Sequence, residues 1–273
     1  MHPVLFQIGP FTGYSYGFMI AVGAILAIFV SELRARRRGL DGDLVFRAAL
    51  IGLFAGLLGA KLTFLLSNME LLFRDPKAAL GTDGFTVLGG VLLGILAGLF
   101  VLARKGVSLK LYADLILPQI ALAQGFGRIG CHLAGCCYGK ETHSAIGVMF
   151  PPEAIAPNGV TLWPTQLMSA AGNFLIFLIL LVLSNFATDY LSTRPNTGES
   201  GKLRFLQPGS ISGLYLILYS LGRFAIEFFR DDPRKMALGL TSNQYVCFVL
   251  LFVGTFLVAF AYNRARLTQR RDN

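Results

Sequence analysis

The chain has 273 residues, 54% of them hydrophobic and only 14% charged, with a mean hydropathy of +0.61 and a formal net charge of +9 at pH 7. That balance excludes an ordinary soluble globular domain and marks a polytopic membrane protein. The basic excess calls for no nucleic acid, because Lys and Arg in cytoplasmic loops also sit well against anionic lipid headgroups.

Seven stretches carry enough apolar residues to cross a hydrocarbon core of roughly 30 Å: 14–30, 44–66, 86–103, 111–127, 165–186, 210–229 and 244–262. None shows the period-two alternation of a barrel strand, and an open sheet in lipid would leave backbone groups unpaired, so each is expected to be a helix. The expected fold is all-α, a bundle of seven transmembrane helices forming a single integral membrane domain over 1–273. Residues 1–13 lack the basic start and apolar core of a cleavable signal peptide, which leaves insertion to the first span. Tyr16 lies just inside that span and Lys61 inside the second. Gly52 and Gly56, then Gly90, Gly94 and Gly98, have the small-xxx-small spacing that lets helices approach closely in lipid. Asp114, Pro118, Gln119 and Gln124 interrupt the fourth span, which reads as a kinked helix buried among the others. An outer loop over 128–163, shaped by Pro151, Pro152 and Pro157, and a polar inner loop over 187–209 are the long connections.

Lys and Arg outside the spans set the orientation. With the N-terminus outside, fourteen fall in inner segments and seven in outer ones, so the N-terminus is expected outside and the C-terminus in the cytoplasm.

Chemistry concentrates in residues 125–139, Gly-Phe-Gly-Arg-Ile-Gly-Cys-His-Leu-Ala-Gly-Cys-Cys-Tyr-Gly, where Arg128, His132, Cys131, Cys136 and Cys137 interrupt an aliphatic chain. A cation and thiols at membrane depth are costly to hold, so they read as a site. In the sixth span Arg223 and Glu227 are spaced i, i+4 and share a helix face, with Arg230 a turn beyond. Such a pair also reads as simple neutralisation of two charges in lipid. Arg128 and Arg223 together suit a phosphate gripped in a bidentate way, which implies an anionic phospholipid headgroup. Tyr16 and Lys61 are candidates to line that cavity, and His132 to take a proton. Glu141 and Glu227 are further candidates for the proton. The three clustered cysteines allow a metal site, a disulfide, or free thiols that pack or act as a nucleophile. Their spacing matches no familiar zinc pattern. Cys247 reads as packing.

These blocks resemble, nearly end to end, the prolipoprotein diacylglyceryl transferase family: Tyr16-Gly17, Gly89-Gly90, Gly127-Arg128-Ile129-Gly130, Pro164-Thr165-Gln166-Leu167 and Gly222-Arg223-Phe224 followed by Glu227-Phe228-Phe229-Arg230. The resemblance implies transfer of a diacylglyceryl group from phosphatidylglycerol to the lipobox cysteine in the signal peptide of a preprolipoprotein. It implies a multi-pass protein of the bacterial inner membrane with its site near the outer leaflet, using no cofactor and no metal. It points catalysis to Arg128, Arg223 and Glu227 and substrate binding to Tyr16, Lys61, Gly127, Gly130, Gln166 and Arg230; in place of the family's absent histidine, His132 or a carboxylate at the outer rim is expected to take the proton, or the acceptor thiol to ionise without a strong base. The chain departs from the usual family residues at Leu88 (histidine), Cys131 (asparagine), Cys136 (glutamate), Met168-Ser169 (Tyr-Glu) and Lys61 (arginine). An alternative reading therefore stands beside the first: a paralogue that kept the phospholipid cavity but serves another acceptor, uses Cys136 or Cys137 covalently, or only binds lipid.

Overall fold

The computed structural model describes residues 2–9, 11–81, 84–193, 207–231, 236–237 and 239–272. In chain order they form β1 (Val4–Ile8), β2 (Phe11–Tyr14), α1 (Ser15–Arg37), α2 (Gly42–Ser67), α3 (Met69–Arg74), α4 (Pro76–Gly81), α5 (Val87–Arg104), α6 (Leu109–Ala134), β3 (Val148–Met149), β4 (Thr161–Leu162), α7 (Thr165–Thr193), α8 (Ser210–Glu227), β5 (Met236–Ala237), β6 (Leu240–Thr241) and α9 (Ser242–Asp272). Each of the seven expected spans falls on one of the long helices. Five of those are both long and apolar enough to cross a membrane: α1, α2, α5, α7 over Thr165–Phe186 and α9 over Ser242–Arg264. In α6 and α8 polar and charged residues dilute the apolar content. The sequence reading missed three small antiparallel hairpins, β1–β2, β3–β4 and β5–β6. At the N-terminus Gly9, with φ near +57°, turns the chain so that Gln7 pairs with Thr12 and Ile8 with Phe11. The expected inner loop begins later than 187, because α7 runs on to Thr193, and its middle lies outside the described residues.

The chain divides into two compact units, residues 28–112 and residues 1–27 with 113–273. In the unit of residues 28–112, α2 and α5 meet along the glycines. A methyl added at Gly94 would lie 2.9 Å from the Gly52 carbonyl oxygen, and one at Gly90 would lie 3.0 Å from that of Gly56. Only residues without a side chain permit this approach, which gains van der Waals contact where lipid offers no hydrophobic driving force. Asp41 caps α2, its Oδ1 accepting from the Leu44 amide at 2.8 Å.

In the other unit the polar residues that interrupt α6 have specific partners. Gly209, at the N-cap of α8, has no side chain with which to cap the helix. Asp114 caps it from α6: Oδ2 accepts from the Gly209 amide at 2.6 Å, and Oδ1 accepts from the amide and hydroxyl of Ser212 at 2.7 and 2.5 Å. A carboxylate there satisfies orphan amides and complements the positive end of the helix. The Gln119 amide donates to the Leu115 carbonyl at 2.7 Å, beside Pro118, which has no N–H to give. The Tyr215 hydroxyl donates to Gln124 at 3.0 Å. Around these bonds Ala121, Ile176, Leu180, Ile211 and Tyr215 form the buried core joining α6, α7 and α8. A methyl added at either Gly213 or Gly254 would lie 2.7 Å from the other residue's carbonyl oxygen, so α8 and α9 cross at this pair.

Candidate functional site

The C-terminal half of α6 carries Arg128, and α8 carries Arg223; both line one hollow of about 320 Å³, part of it open to the surroundings. Its wall has two helical stripes. Ser169, Gly172, Asn173 and Ile176 come from α7, and Tyr219, Gly222, Arg223 and Ile226 from α8, at the i, i+3, i+4, i+7 spacing of one helix face. Gly172 and Gly222 leave open space where a Cβ would stand, so their lack of a side chain helps make the hollow. Ser169 and Asn173 are buried, and Asn173 Oδ1 has no hydrogen-bond partner although its amide nitrogen donates to the Ser169 carbonyl at 2.8 Å.

Arg223 reaches the hollow on a fixed support. Its Nη1 lies 3.0 Å from Glu227 Oε2, with the Arg223 side chain 12% exposed and that of Glu227 2%. The other carboxylate oxygen, Oε1, accepts from the Thr241 hydroxyl at 2.7 Å and from the Asn243 amide at 3.3 Å. The turn into α9 thus fixes the carboxylate, and the carboxylate fixes the guanidinium. Arg230 and Arg128 both lie within electrostatic reach of Arg223, which makes the region cationic.

The cysteine segment follows from the way α6 ends. Gly135, at φ +74°, takes the left-handed position after the helix. Its amide donates to the His132 carbonyl at 3.2 Å, and the Cys136 amide donates to the Cys131 carbonyl at 3.1 Å. This pair of bonds is the Schellman arrangement, and it folds Cys136 back over Cys131. Cys137 follows at φ +60°, the one described non-glycine residue with positive φ. Two residues from the start of α7 clamp the turn: the Gln166 amide donates to the Cys136 carbonyl and the Thr165 hydroxyl to the Cys137 carbonyl, each at 2.8 Å. Gly139 sits so close to Trp163 and Phe229 that a Cβ would meet both within 2.8 Å, and the Lys140 amide donates to the Phe229 carbonyl at 2.8 Å. The sulfurs of Cys131, Cys136 and Cys137 all lie within 4.8 Å of one another, and none forms a disulfide. Hydrogen bonds from Cys131 and Cys136, with Arg230 alongside, pull the Cys137 thiol far below its ordinary range. The same sulfur contacts, with burial, push Cys136 up.

The structure brings some of the expected site residues together and separates others. Tyr16 lies within electrostatic reach of the three thiols and of Arg128. Gly130 seats α6 against α1, where an added methyl would stand 3.1 Å from the Tyr16 carbonyl oxygen. Gly127 faces open space. Gln166, 1% exposed, serves the cysteine turn instead of lining the hollow. His132 turns the other way: its ring packs edge-on against Phe150 at 5.8 Å, in the small core that the outer loop forms with Ala156 and Leu162. Lys61 belongs to the unit of residues 28–112, where its ammonium donates to the Ala79 carbonyl at 3.2 Å and lies over the Phe64 and Phe85 rings. Sequence reading missed Asn173, Tyr219, Thr241 and Asn243. Tyr219 was within reach of it, since one helical turn back from Arg223 along the same face arrives there.

The family model for prolipoprotein diacylglyceryl transferase matches residues 3–260. A Clostridium perfringens protein named phosphatidylglycerol–prolipoprotein diacylglyceryl transferase 2 is 38% identical over 275 residues, covering 100% of this chain and 98% of that one. Proteins of the same name without the numeral are 35% identical in Clostridium tetani, over 94% of this chain and 96% of theirs, and 32% identical in Dehalococcoides mccartyi strain BAV1, over 98% and 96%. The chain therefore belongs to the prolipoprotein diacylglyceryl transferase family and is a membrane-embedded transferase.

Proposed function

We propose that this transferase moves the diacylglyceryl group of phosphatidylglycerol onto the lipobox cysteine in the signal peptide of a preprolipoprotein and releases glycerol phosphate. The observation that carries the reading is that Arg128 and Arg223, distant in sequence, line one hollow. A phosphodiester is the ligand that two guanidinium groups in one recess of an apolar bundle fit best, because each can bond to two oxygens in its own plane. Asn173 and Ser169 offer neutral polar groups for the glycerol hydroxyls. The names of the relatives supply donor and acceptor.

In the reaction the acceptor sulfur attacks the terminal carbon of the diacylglyceryl group. An S–C bond forms, the C–O bond to phosphate breaks, and the electron pair leaves with the phosphate oxygen. Atoms and charge balance without a cofactor. Arg128 and Arg223 hold the phosphate in the ground state and stabilise the extra charge on the departing oxygen, the kind of preorganised electrostatic help that is worth roughly 10²–10³-fold per donor. Glu227 positions Arg223 through the 3.0 Å contact. A free thiol with a pKa of about 8.5 is a few per cent ionised at neutral pH. The cationic rim of Arg128, Arg223 and Arg230 raises that fraction, so the proton can leave to water at the membrane surface. Seven spans with the N-terminus outside and the C-terminus in the cytoplasm, in the bacterial inner membrane, would place this site toward the outer leaflet; the charge asymmetry of the loops supports that orientation.

Purified protein incubated with phosphatidylglycerol and a lipobox peptide should add one diacylglyceryl mass to the peptide thiol, and Arg223→Ala should abolish the addition. No mass gain with phosphatidylglycerol or any other anionic phospholipid would overturn the proposal.

A further inference from the structure

Cys131, Cys136 and Cys137 take no part in the reaction written above, yet their sulfurs are brought together with evident constraint. The Schellman turn at Gly135 lays Cys136 over Cys131, the left-handed backbone at Cys137 turns a third sulfur toward the same point, and Thr165 and Gln166 hold the intervening carbonyls. Positions C3 and C″ of such a motif ordinarily meet through an apolar contact. Here both are thiols and a third joins them, with all three sulfurs inside 4.8 Å of one another. A tetrahedral ion with metal–sulfur bonds of about 2.3 Å needs its sulfurs about 3.8 Å apart, against at most 4.8 Å between these. Two cations stand beside the cluster: Arg230 next to the Cys137 sulfur, and Arg128 within electrostatic reach of Cys131. Cys131 is buried, and Cys136 and Cys137 are half-buried, which leaves the cluster reachable from one side.

We infer that Cys131, Cys136 and Cys137 form a three-thiolate site for a thiophilic d¹⁰ cation, zinc(II) or copper(I), with the remaining coordination position open. Soft sulfur ligands select ions of this class over magnesium or calcium. Binding releases the three thiol protons and leaves each sulfur donating one electron pair to the ion. With a divalent ion the site carries one net negative charge, which Arg230 and Arg128 offset. His132 lies outside the group of ligand atoms that meet within 4.8 Å, its ring packed edge-on against Phe150. The assignment stands independently of the lipid chemistry proposed for the hollow.

The test is metal content and spectroscopy on the full chain in detergent. Protein purified without chelators should carry stoichiometric zinc or copper by elemental analysis, and chromogenic chelators selective for zinc(II) or copper(I) then tell the two apart. Apo-protein titrated with cobalt(II) should develop an intense thiolate-to-metal charge-transfer band that saturates at one equivalent. Cys136→Ser and Cys137→Ser should each lower metal retention roughly ten-fold or more, while Cys247→Ser should not. Unchanged thermal melting of the Ser variants in metal-free buffer excludes misfolding as the cause of the loss. Metal content equal in wild-type and variant proteins, no charge-transfer band, or an intact mass two hydrogens light from a disulfide would each overturn the assignment.

Discussion

Replacing Glu227 by Gln separates a residue that positions the phosphate grip from one that merely neutralises a charge. The substitution keeps the shape and one oxygen, so the hydrogen bonds from Thr241 and Asn243 can persist. What disappears is the anion 3.0 Å from Arg223. At an effective dielectric of about 20, a pair some 4 Å apart attracts by roughly 4 kcal/mol. Removing one partner of a buried pair costs about 3–5 kcal/mol, because the other charge is left stranded. Arg223 is 12% exposed into the hollow and so keeps some relief, which reduces the expected loss to about 2–3 kcal/mol. If that loss falls on the geometry of the transition state, kcat drops roughly 30- to 150-fold, at about 1.36 kcal/mol per factor of ten. KM for phosphatidylglycerol should not rise, because deleting an anion leaves the hollow more attractive to phosphate. The assay is steady-state mass spectrometric product formation with varied lipid in mixed micelles, with thermal melting in parallel. Wild-type kcat in Glu227→Gln, or a raised KM at unchanged kcat, would refute the positioning role.

Gly172→Leu should fill the hollow from α7, since nothing stands within 4 Å of an added Cβ to bar its entry; activity should fall at least about ten-fold while stability stays within about 0.5 kcal/mol, as for substitutions away from packed features. Gly94→Ala should do the reverse in kind, forcing α5 off α2 at the 2.9 Å approach to Gly52 and costing about 1–3 kcal/mol in detergent denaturation. His132→Asn should leave kcat and its pH profile close to wild type, in contrast to the roughly 10²–10⁴-fold loss that follows removal of a general base, because the ring faces Phe150 and not the hollow. Asp114→Ala should uncap α8, with a stability loss of about 1–3 kcal/mol measured by thermal melting.

Where sequence reading succeeded and failed follows from the kind of physics each residue obeys. Hydrocarbon thickness acts on single segments, so apolar length marked stretches that each fall on a long helix, five of them apolar enough to cross a membrane, while the short α3 and α4 left no such signal; the glycine spacing of α2 and α5 exposed their packing for the same local reason. Arg223 and Glu227 were legible as a pair because helical periodicity fixes which neighbours share a face. Polar residues whose partners lie far away in sequence were opaque. Asp114 looked like an interruption of its own helix, when it serves the N-terminus of α8 nearly a hundred residues later. His132 looked like a base because it adjoins the cysteines and stands i, i+4 from Arg128, yet its ring packs against Phe150, a partner set by the fold of the outer loop and invisible in helical spacing. Thr241 and Asn243 carry no signal of their own; they matter because Glu227 is buried and must have its oxygens satisfied. The thiol cluster lies between these extremes. Three cysteines within seven positions were visible at once, but whether their sulfurs converge depends on the left-handed turn at Gly135 and Cys137, a backbone event that side-chain spacing cannot report and that decides whether the segment is packing or a ligand set.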